Sequence, residues 1–260
     1  MNFKRPLIAT RLWWLVVPAF CMRLQAATLT FSAVADTSIF SAKPDNDLGG
    51  TTLVSGTNQQ YSLSRSMFRF DLSTLPAGAV VTGVEVTLTV TKIPDPDQHG
   101  GPVNSDFSLH RLFVSWGEGT SSNATGSGAQ PSNATWNERH FGSTAWASPG
   151  ALIGVDCSET PSATTFVKRE GDYVWGSSAG LVDDVKAWQS DPSANFGFLL
   201  VSQNEAALGT GRRFGSKEQP GAPTSPAQLI VTYSVVPEPT VAGLWLIGLT
   251  GLVFLRGRRG

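Results

Sequence analysis

A strict two-residue alternation between Val84 and Thr91 is the feature that most constrains how this chain can fold. Four apolar residues at even positions alternate with four polar residues at odd positions. Because successive side chains of a β-strand point to opposite faces, the pattern predicts a strand with one buried and one solvated face. Half-buried strands of this kind are typical of antiparallel sheets.

The same alternation occurs in a segment that precedes this strand in the sequence. Phe68 and Phe70 share one parity, while Arg65 and Arg69 occupy the other. We expect both phenylalanines to enter the core and both arginines to face outward or to meet acidic neighbours. The remaining strand candidates are Thr28–Val34, Thr37–Ser41, Thr52–Ser55, Phe107–Val114, Thr164–Val167, Phe196–Ser202 and Gln228–Val235.

Turns rich in Gly, Pro and Asp separate these strands, and a single segment favours a helix. In Gly180–Gln189, Leu181, Val185 and Trp188 fall on one helical face. Many short strands with almost no helix predict an all-β body, an antiparallel β-sandwich with jelly-roll topology.

The N-terminus has the organisation of a secretory signal peptide. A basic start is followed by an apolar stretch, Leu12–Met22, and by a small-residue cleavage site at Leu24-Gln25-Ala26. Residues 1–26 are therefore predicted to be a signal helix that signal peptidase removes, leaving a mature start near Ala27.

The C-terminus, residues 237–260, combines a short motif with an apolar run and a basic stop. Val236, Pro237, Glu238 and Pro239 precede an uncharged stretch from 240 to 255, and Arg256, Arg258 and Arg259 follow it. As a helix the run would measure about 24 Å, slightly short of the roughly 30 Å hydrocarbon core. The arginines favour the cytoplasmic side, which places the body outside.

This order resembles the PEP-CTERM sorting signal, which a bacterial exosortase reads in the inner membrane. The resemblance implies a transient transmembrane helix, processing by exosortase, and delivery to the cell surface or extracellular matrix. An ordinary single-span anchor is the alternative. Both interpretations export the body, residues 27–236.

Charge excludes one class of partner. Of the 19 basic and 20 acidic residues, four basic ones lie in 1–26, and three basic and one acidic lie in 237–260. The body therefore keeps 12 basic and 19 acidic residues, a net charge of about −7. An acidic body without a basic run is poorly suited to nucleic acid. Cys157 is its one cysteine, expected to act as a small buried hydrophobe.

A long stretch from Gly117 to Asn133 lacks apolar periodicity and is predicted to be a surface loop, with Trp116 and Trp136 anchoring its ends. Tryptophans could also serve as stacking platforms for sugars. Trp146, in a polar stretch, is the least core-like of them, and the candidate ligand-binding set is Trp146, Arg65, Arg69, Arg212 and Arg213.

No catalytic constellation is evident. None of His99, His110 and His140 lies at metal-ligand spacing to another His or Cys, and the chain has no nucleophile elbow or phosphate loop. Converging glutamates of a glycosidase stay open as an alternative, with Glu118, Glu138, Glu159 and Glu170 available. We expect a protein that is not an enzyme.

Calcium is the candidate ion, as a structural cofactor, because hard cations prefer several oxygen ligands. The candidate ligands are Asp36, Asp45, Asp47, Asp95 and Asp97. Aspartates that cap their own turns also explain Asp45, Asp47, Asp95 and Asp97, and this alternative is favoured over a metal site.

Several body segments, in order, resemble the DNRLRE domain, a bacterial extracellular β-sandwich. They are Ala35–Ile39, Asn46–Gly49, Arg65–Pro76, Val114–Gly119, Ala134–Trp136, Val185–Trp188, Asn195–Phe198, Phe214–Glu218 and Ala227–Tyr233. Lys217 stands where the family usually has arginine. The resemblance implies a non-catalytic module, and some members bind acidic polysaccharides such as alginate.

Two functions follow from these patterns. The first is an exported, non-catalytic cell-surface or matrix protein, and the second is a carbohydrate-binding module for an environmental polysaccharide. Sugar binding would require an exposed row of aromatics beside polar groups.

Overall fold

The structure, a computed structural model, describes residues 25–98, 100–123, 125–218 and 226–235. All of them belong to one unit, Gln25–Val235. The strands are β1 (Gln25–Phe40), β2 (Asn46–Asp47), β3 (Leu53–Thr57), β4 (Leu63–Phe70), β5 (Ala79–Lys92), β6 (Ser105–Arg111), β7 (Ser127–Gly128), β8 (Glu138–His140), β9 (Thr144–Ala145), β10 (Ala163–Val167), β11 (Gly171–Trp175), β12 (Phe198–Ser202), β13 (Arg212–Phe214) and β14 (Gln228–Val235). The described part also holds one α-helix, α1 (Ala179–Ser190), and a 3₁₀ turn, Pro192–Ala194. The all-β prediction is confirmed.

The main strands form two antiparallel sheets that face each other across the core. In the first sheet, β14 lies between β1 and β5, and β5 also pairs with β11 and β13. In the second sheet the order is β1, β4, β12, β6, β10. Strand β3 pairs with β13 of the first sheet and β4 of the second. This is a sandwich whose sheets share β1 and β3.

The structure has one long strand, β1, where the sequence predicts two, Thr28–Val34 and Thr37–Ser41. It is continuous, and its register shifts between Ala33 and Ala35. Before the shift β1 pairs with β14, and after it with β4. The bulge bends the strand so that one element passes from one sheet to the other.

The main core lies between the sheets. Val84, Val86, Leu88 and Val90 are all buried there, as the alternation predicts. Phe68 and Phe70 join them from β4, with ring centroids 5.7 Å apart in an edge-to-face arrangement. The helix closes this core: Ser178 caps its N-terminus by accepting from Leu181 N–H, and Leu181, Val185 and Trp188 are buried, which confirms the predicted face.

A second core lies on the outer face of the second sheet. Residues 113–157, here the cover segment, pack over it, and Trp116 and Trp136 both contribute to it. The stretch predicted as a surface loop is thus anchored at both tryptophans, as expected, but the segment as a whole buries a core of its own. Its buried members are Ala35, Ile39, Met67, Leu112, Trp116, Ala134, Trp146, Ala151, Cys157, Leu199 and Val201.

Residues 1–24 of the predicted signal segment lie outside the described residues, whereas its last two, Gln25 and Ala26, begin β1. The predicted sorting residues, Val236, Pro237, Glu238, Pro239, Arg256, Arg258 and Arg259, also lie outside the described residues. Among the residues that are described, no helix is long and apolar enough to cross a membrane.

Candidate binding cleft and acidic cluster

Trp146, predicted to be the least core-like tryptophan, is buried. Its side chain is 4% exposed in the second core, and its Nε1 donates to the Thr135 carbonyl at 2.9 Å. Of its polar neighbours, Thr144 lies in β9 and Ser148 in the bend that follows it. With no face open to solvent, Trp146 is not a stacking platform in this structure.

Arg65 is a structural arginine. Its guanidinium donates twice to the Glu205 carboxylate, at 2.7 Å each, and to the carbonyls of Gly150 and Ala151 at 2.8 Å. It also lies 5.9 Å from the Trp136 ring centroid. Arg65 meets an acidic partner, as the sequence predicts, and fastens the cover segment to β4.

Arg212 is buried, and its guanidinium, like that of Arg65, is bound by groups of the protein itself. Its Nη1 donates to the carbonyls of Gly209, Thr210 and Gly211 at 3.1 Å, and its Nη2 donates to those of Val103 and Lys168. Burial lowers its pKa. Arg212 therefore gathers carbonyls from three loops, and its charge is unavailable to a ligand.

Arg213 lines a cleft of about 500 Å³. The walls come from the end of β1, the β3–β4 turn, the loop after β5, and β13. Lys43 and Lys92 also line it, and none of these three cations forms an ion pair with a described residue. Its carboxamide lining residues are Asn58, Gln59, Gln60 and Gln98. Asp95 is the one carboxylate among the lining residues, so cations predominate, and together with the polar donors they make this cleft chemically suited to an anionic, hydroxyl-rich ligand.

Tyr61 lies between two residues that line the cleft, Gln60 and Ser62. It is 79% exposed and has a φ of 64°, a left-handed conformation that is unusual for an aromatic residue. The Asn58 carboxamide oxygen holds the turn by accepting the N–H groups of Gln60 and Ser62. The tightly built turn thus presents a tyrosine to solvent at the cleft.

Tyr61 stands beside the cleft, and the one aromatic residue that lines it is the buried Phe40, so the row of exposed aromatics that sugar binding would require is absent among the described residues. Phe113 and Phe166 are also exposed, but they do not line the cleft. Each already has a cation over its ring, Arg111 and Lys168 respectively, both at 5.3 Å.

A second polar site joins Asp36, Glu118 and Glu218. One ligand oxygen of each lies within 4.8 Å of the others. The Glu118 Oε1 accepts the Asp36 N–H at 3.0 Å, and the Asp36 Oδ2 accepts the Lys217 N–H at 2.8 Å. Lys217 Nζ lies 3.1 Å from Glu118 Oε1 and 2.5 Å from Glu218 Oε1. We call these three carboxylates the acidic cluster.

Burial raises the pKa of Asp36 to about 8, against the opposing effect of the Lys217 N–H, and the negative charges of Glu218 and Glu118 raise it further. The hydrogen bond to Glu218 is the main reason that the pKa of Lys217 is raised. Asp36 was predicted as a metal ligand, whereas its two partners were not. The sequence pattern does not bring the three together, because they are distant from one another along the chain.

The other predicted metal ligands are not members of this cluster. Asp47 accepts from Ser121 N–H and from the Asn133 carboxamide, and Asp45 accepts from Asn137. Asp95 caps its own loop by accepting from the Asp97 N–H and from Gln98 Nε2. The turn-capping alternative accounts for Asp95, whereas the side chains of Asp45 and Asp47 accept from residues of the cover segment that are distant in sequence.

Two histidines, His110 and His140, lie in the described part of the chain, and neither contacts a carboxylate that would orient it for catalysis. His110 is buried in β6 with Nδ1 2.7 Å from the Ser158 carbonyl. His140 Nε2 lies 3.1 Å from Ser115 Oγ, but its Nδ1 faces the Ser132 carbonyl and not a carboxylate. The Arg139 guanidinium also donates to Ser115 Oγ. The arrangement therefore differs from a serine–histidine–carboxylate triad. His99 lies outside the described residues.

No protein-family model matches this chain, and no curated protein matches it either. The functional argument therefore rests on the residues and on the geometry described above.

Proposed function

We propose that this chain is an exported, non-catalytic protein of the cell surface or extracellular matrix, delivered by the exosortase pathway. The observation that carries the proposal is the order Pro237-Glu238-Pro239, apolar run, and arginine stop at the C-terminus. Signal peptidase and exosortase are the implied partners, with the tail as a transient inner-membrane anchor.

The ends of the described body support this division of the chain. Gln25 at the start of β1 pairs with Val235 at the end of β14. Chain entry and exit therefore lie side by side at one edge of the first sheet. Cleavage after Ala26 would remove two residues from one strand end, and six of the eight β1–β14 pairs would stay intact.

We also propose that the body is a jelly-roll sandwich of the DNRLRE type, which stands in the chain between a signal helix and a C-terminal transmembrane helix. The positions of three segments in the folded body support this. Three of the segments on which the resemblance rests, Ala35–Ile39, Val114–Gly119 and Phe214–Glu218, contribute the three carboxylates of the acidic cluster.

Changing Pro237 and Glu238 together to alanine should leave an unprocessed, membrane-retained form in a host that carries an exosortase. The substitution removes the recognition motif and keeps the apolar run and the arginines. Cell fractionation and immunoblotting would measure it, with Glu170→Ala, an exposed change in the body, as the control. Release and shortening of the double variant at the normal rate would refute the sorting proposal.

A second function, binding of an acidic polysaccharide, is favoured by the cleft. Lys43, Lys92 and Arg213 are local positive charges on an otherwise acidic body, and Tyr61 offers an exposed ring beside the carboxamides. Carboxylate groups of a polyuronate would pair with the cations, and the sugar face would stack on the tyrosine.

Affinity electrophoresis in gels containing a polyuronate would test this function. The full-length protein should be retarded by the polyuronate more than by a neutral glucan, and less so at high salt, because exposed charges are screened. Lys92→Gln with Arg213→Gln should abolish the retardation, and Tyr61→Ala should weaken it. Lys186→Gln, an exposed change on α1, is the matched control. Equal retardation of all variants would exclude the cleft.

A further inference from the structure

The acidic cluster has more negative charge than its surroundings balance. Asp36 comes from β1, Glu118 from the cover segment, and Glu218 from the loop after β13. Lys217 is the one cation that forms an ion pair with the cluster among the described residues. Three carboxyl groups from distant segments therefore converge, and the ammonium group of Lys217 contacts two of them, Glu118 and Glu218.

Two buried carboxylate oxygens of the cluster accept no hydrogen bond from a donor group of the described residues. Asp36 has no exposed surface, and its Oδ1 accepts no hydrogen bond from a donor group of the described residues. Glu218 Oε2 is buried and unpartnered in the same way. A buried carboxylate oxygen without a partner is costly, so two of them in one cluster imply a missing positive charge or proton.

We propose that the acidic cluster is a binding site for one calcium ion, with Asp36, Glu118 and Glu218 as its protein ligands. All three donors are carboxylate oxygens, which hard cations prefer, and no sulfur or imidazole is among them. Oxygens within 4.8 Å of one another place a central ion about 2.8 Å or less from each, near the roughly 2.3–2.6 Å of a calcium–oxygen bond.

Lys217 occupies the position of a competing cation. Its ammonium group contacts the two glutamates, and its side chain is 30% exposed, so it can turn toward solvent when an ion enters. The part-exposed glutamates leave room for waters to complete the coordination. An irregular set of this kind suits calcium better than magnesium, which requires a near-ideal octahedron at about 2.0–2.1 Å.

A bound ion would join three segments that are far apart along the chain. It would link β1 to the cover segment and to the connection that follows β13. Calcium should therefore stabilise the folded body by mass action, and its effect should grow with free calcium concentration.

The test uses the full-length chain after treatment with EDTA. Calorimetric titration with CaCl₂ should show about one site per chain, with a Kd on the order of 10⁻⁴ to 10⁻³ M as in extracellular modules. Thermal melts should shift upward with calcium. Glu218→Gln and Glu118→Gln should each weaken binding at least about tenfold and reduce the shift, whereas Glu170→Gln, an exposed control, should bind as the unchanged chain does.

Lys217→Met separates a calcium site from an internal ion-pair network. If the ammonium competes with calcium, its removal should tighten calcium binding. If the cluster serves only to hold Lys217, the variant should be less stable and show no calcium response. The proposal is overturned by that result, by the absence of heat and melting shift at millimolar calcium, or by equal binding in the glutamine variants. The part-exposed glutamates keep the test informative even if Asp36→Asn does not fold.

Discussion

Neighbouring residues of β4 take part in two different cores. Phe68 and Phe70 point between the sheets, whereas Met67 packs into the second core and Arg65 lies beneath the cover segment. The alternation of the sequence predicts this division of faces, but it does not show that the outer face is covered. Whether an outward arginine is solvated or bound depends on segments distant in sequence, here Glu205 and the carbonyls of Gly150 and Ala151.

Phe70→Ala should lower the free energy of unfolding by about 3 to 5 kcal/mol, because the ring is fully buried and its loss leaves a cavity. Arg69→Ala, on the opposite face, should change it by less than about 1 kcal/mol, since that half-exposed side chain pairs with no described residue. Urea melts of the two variants would measure the difference. Equal, small losses would mean that the register of β4 is misassigned.

At the scale of elements, the sequence predicts strands with strong alternation and misses those formed by few residues. β5, β14 and α1 lie close to their predicted positions. β13 has three residues, too few to show a period, and β11 follows a run of charged residues. Both strands form because β5 offers them a partner edge, a long-range effect that local pattern does not contain.

The two candidate sites also differ in how much of each one the sequence predicts. Asp36 was found from sequence because it stands in a recognisable segment, but its partners Glu118 and Glu218 are 82 and 182 positions away. Two residues of the predicted ligand-binding set, Arg212 and Arg213, and one predicted metal ligand, Asp95, line the cleft. Lys43 lies in the turn after β1 and Lys92 ends β5, and neither stands in a distinguishing motif, so only the packing of separate parts of the chain brings these cations together.

At the scale of the whole molecule, shared strands make one sandwich of two sheets, and buried ionisable groups connect its stability to pH. Burial lowers the pKa of His110, although the Ser158 carbonyl and Glu205 act in the opposite sense and the Arg65 charge adds to the lowering. Burial also raises the pKa values of Asp36 and Asp184. A raised carboxyl pKa favours the folded state as pH falls, so the two kinds of group oppose each other.

For His110 the folded state binds a proton less readily than the unfolded chain, whose histidine has a pKa of about 6.5. Its stabilising contribution is therefore complete above that pH and decreases as pH falls below it, by at most about 1.4 kcal/mol per pH unit. The unfolding free energy of His110→Gln, measured by urea melts between pH 7 and pH 5, should fall less steeply than that of the unchanged chain. His140→Gln, at a part-exposed position, is the control. Parallel pH profiles for the unchanged chain and His110→Gln would show that the imidazole becomes charged in the folded state as easily as in the unfolded one, contrary to its burial behind Ser158.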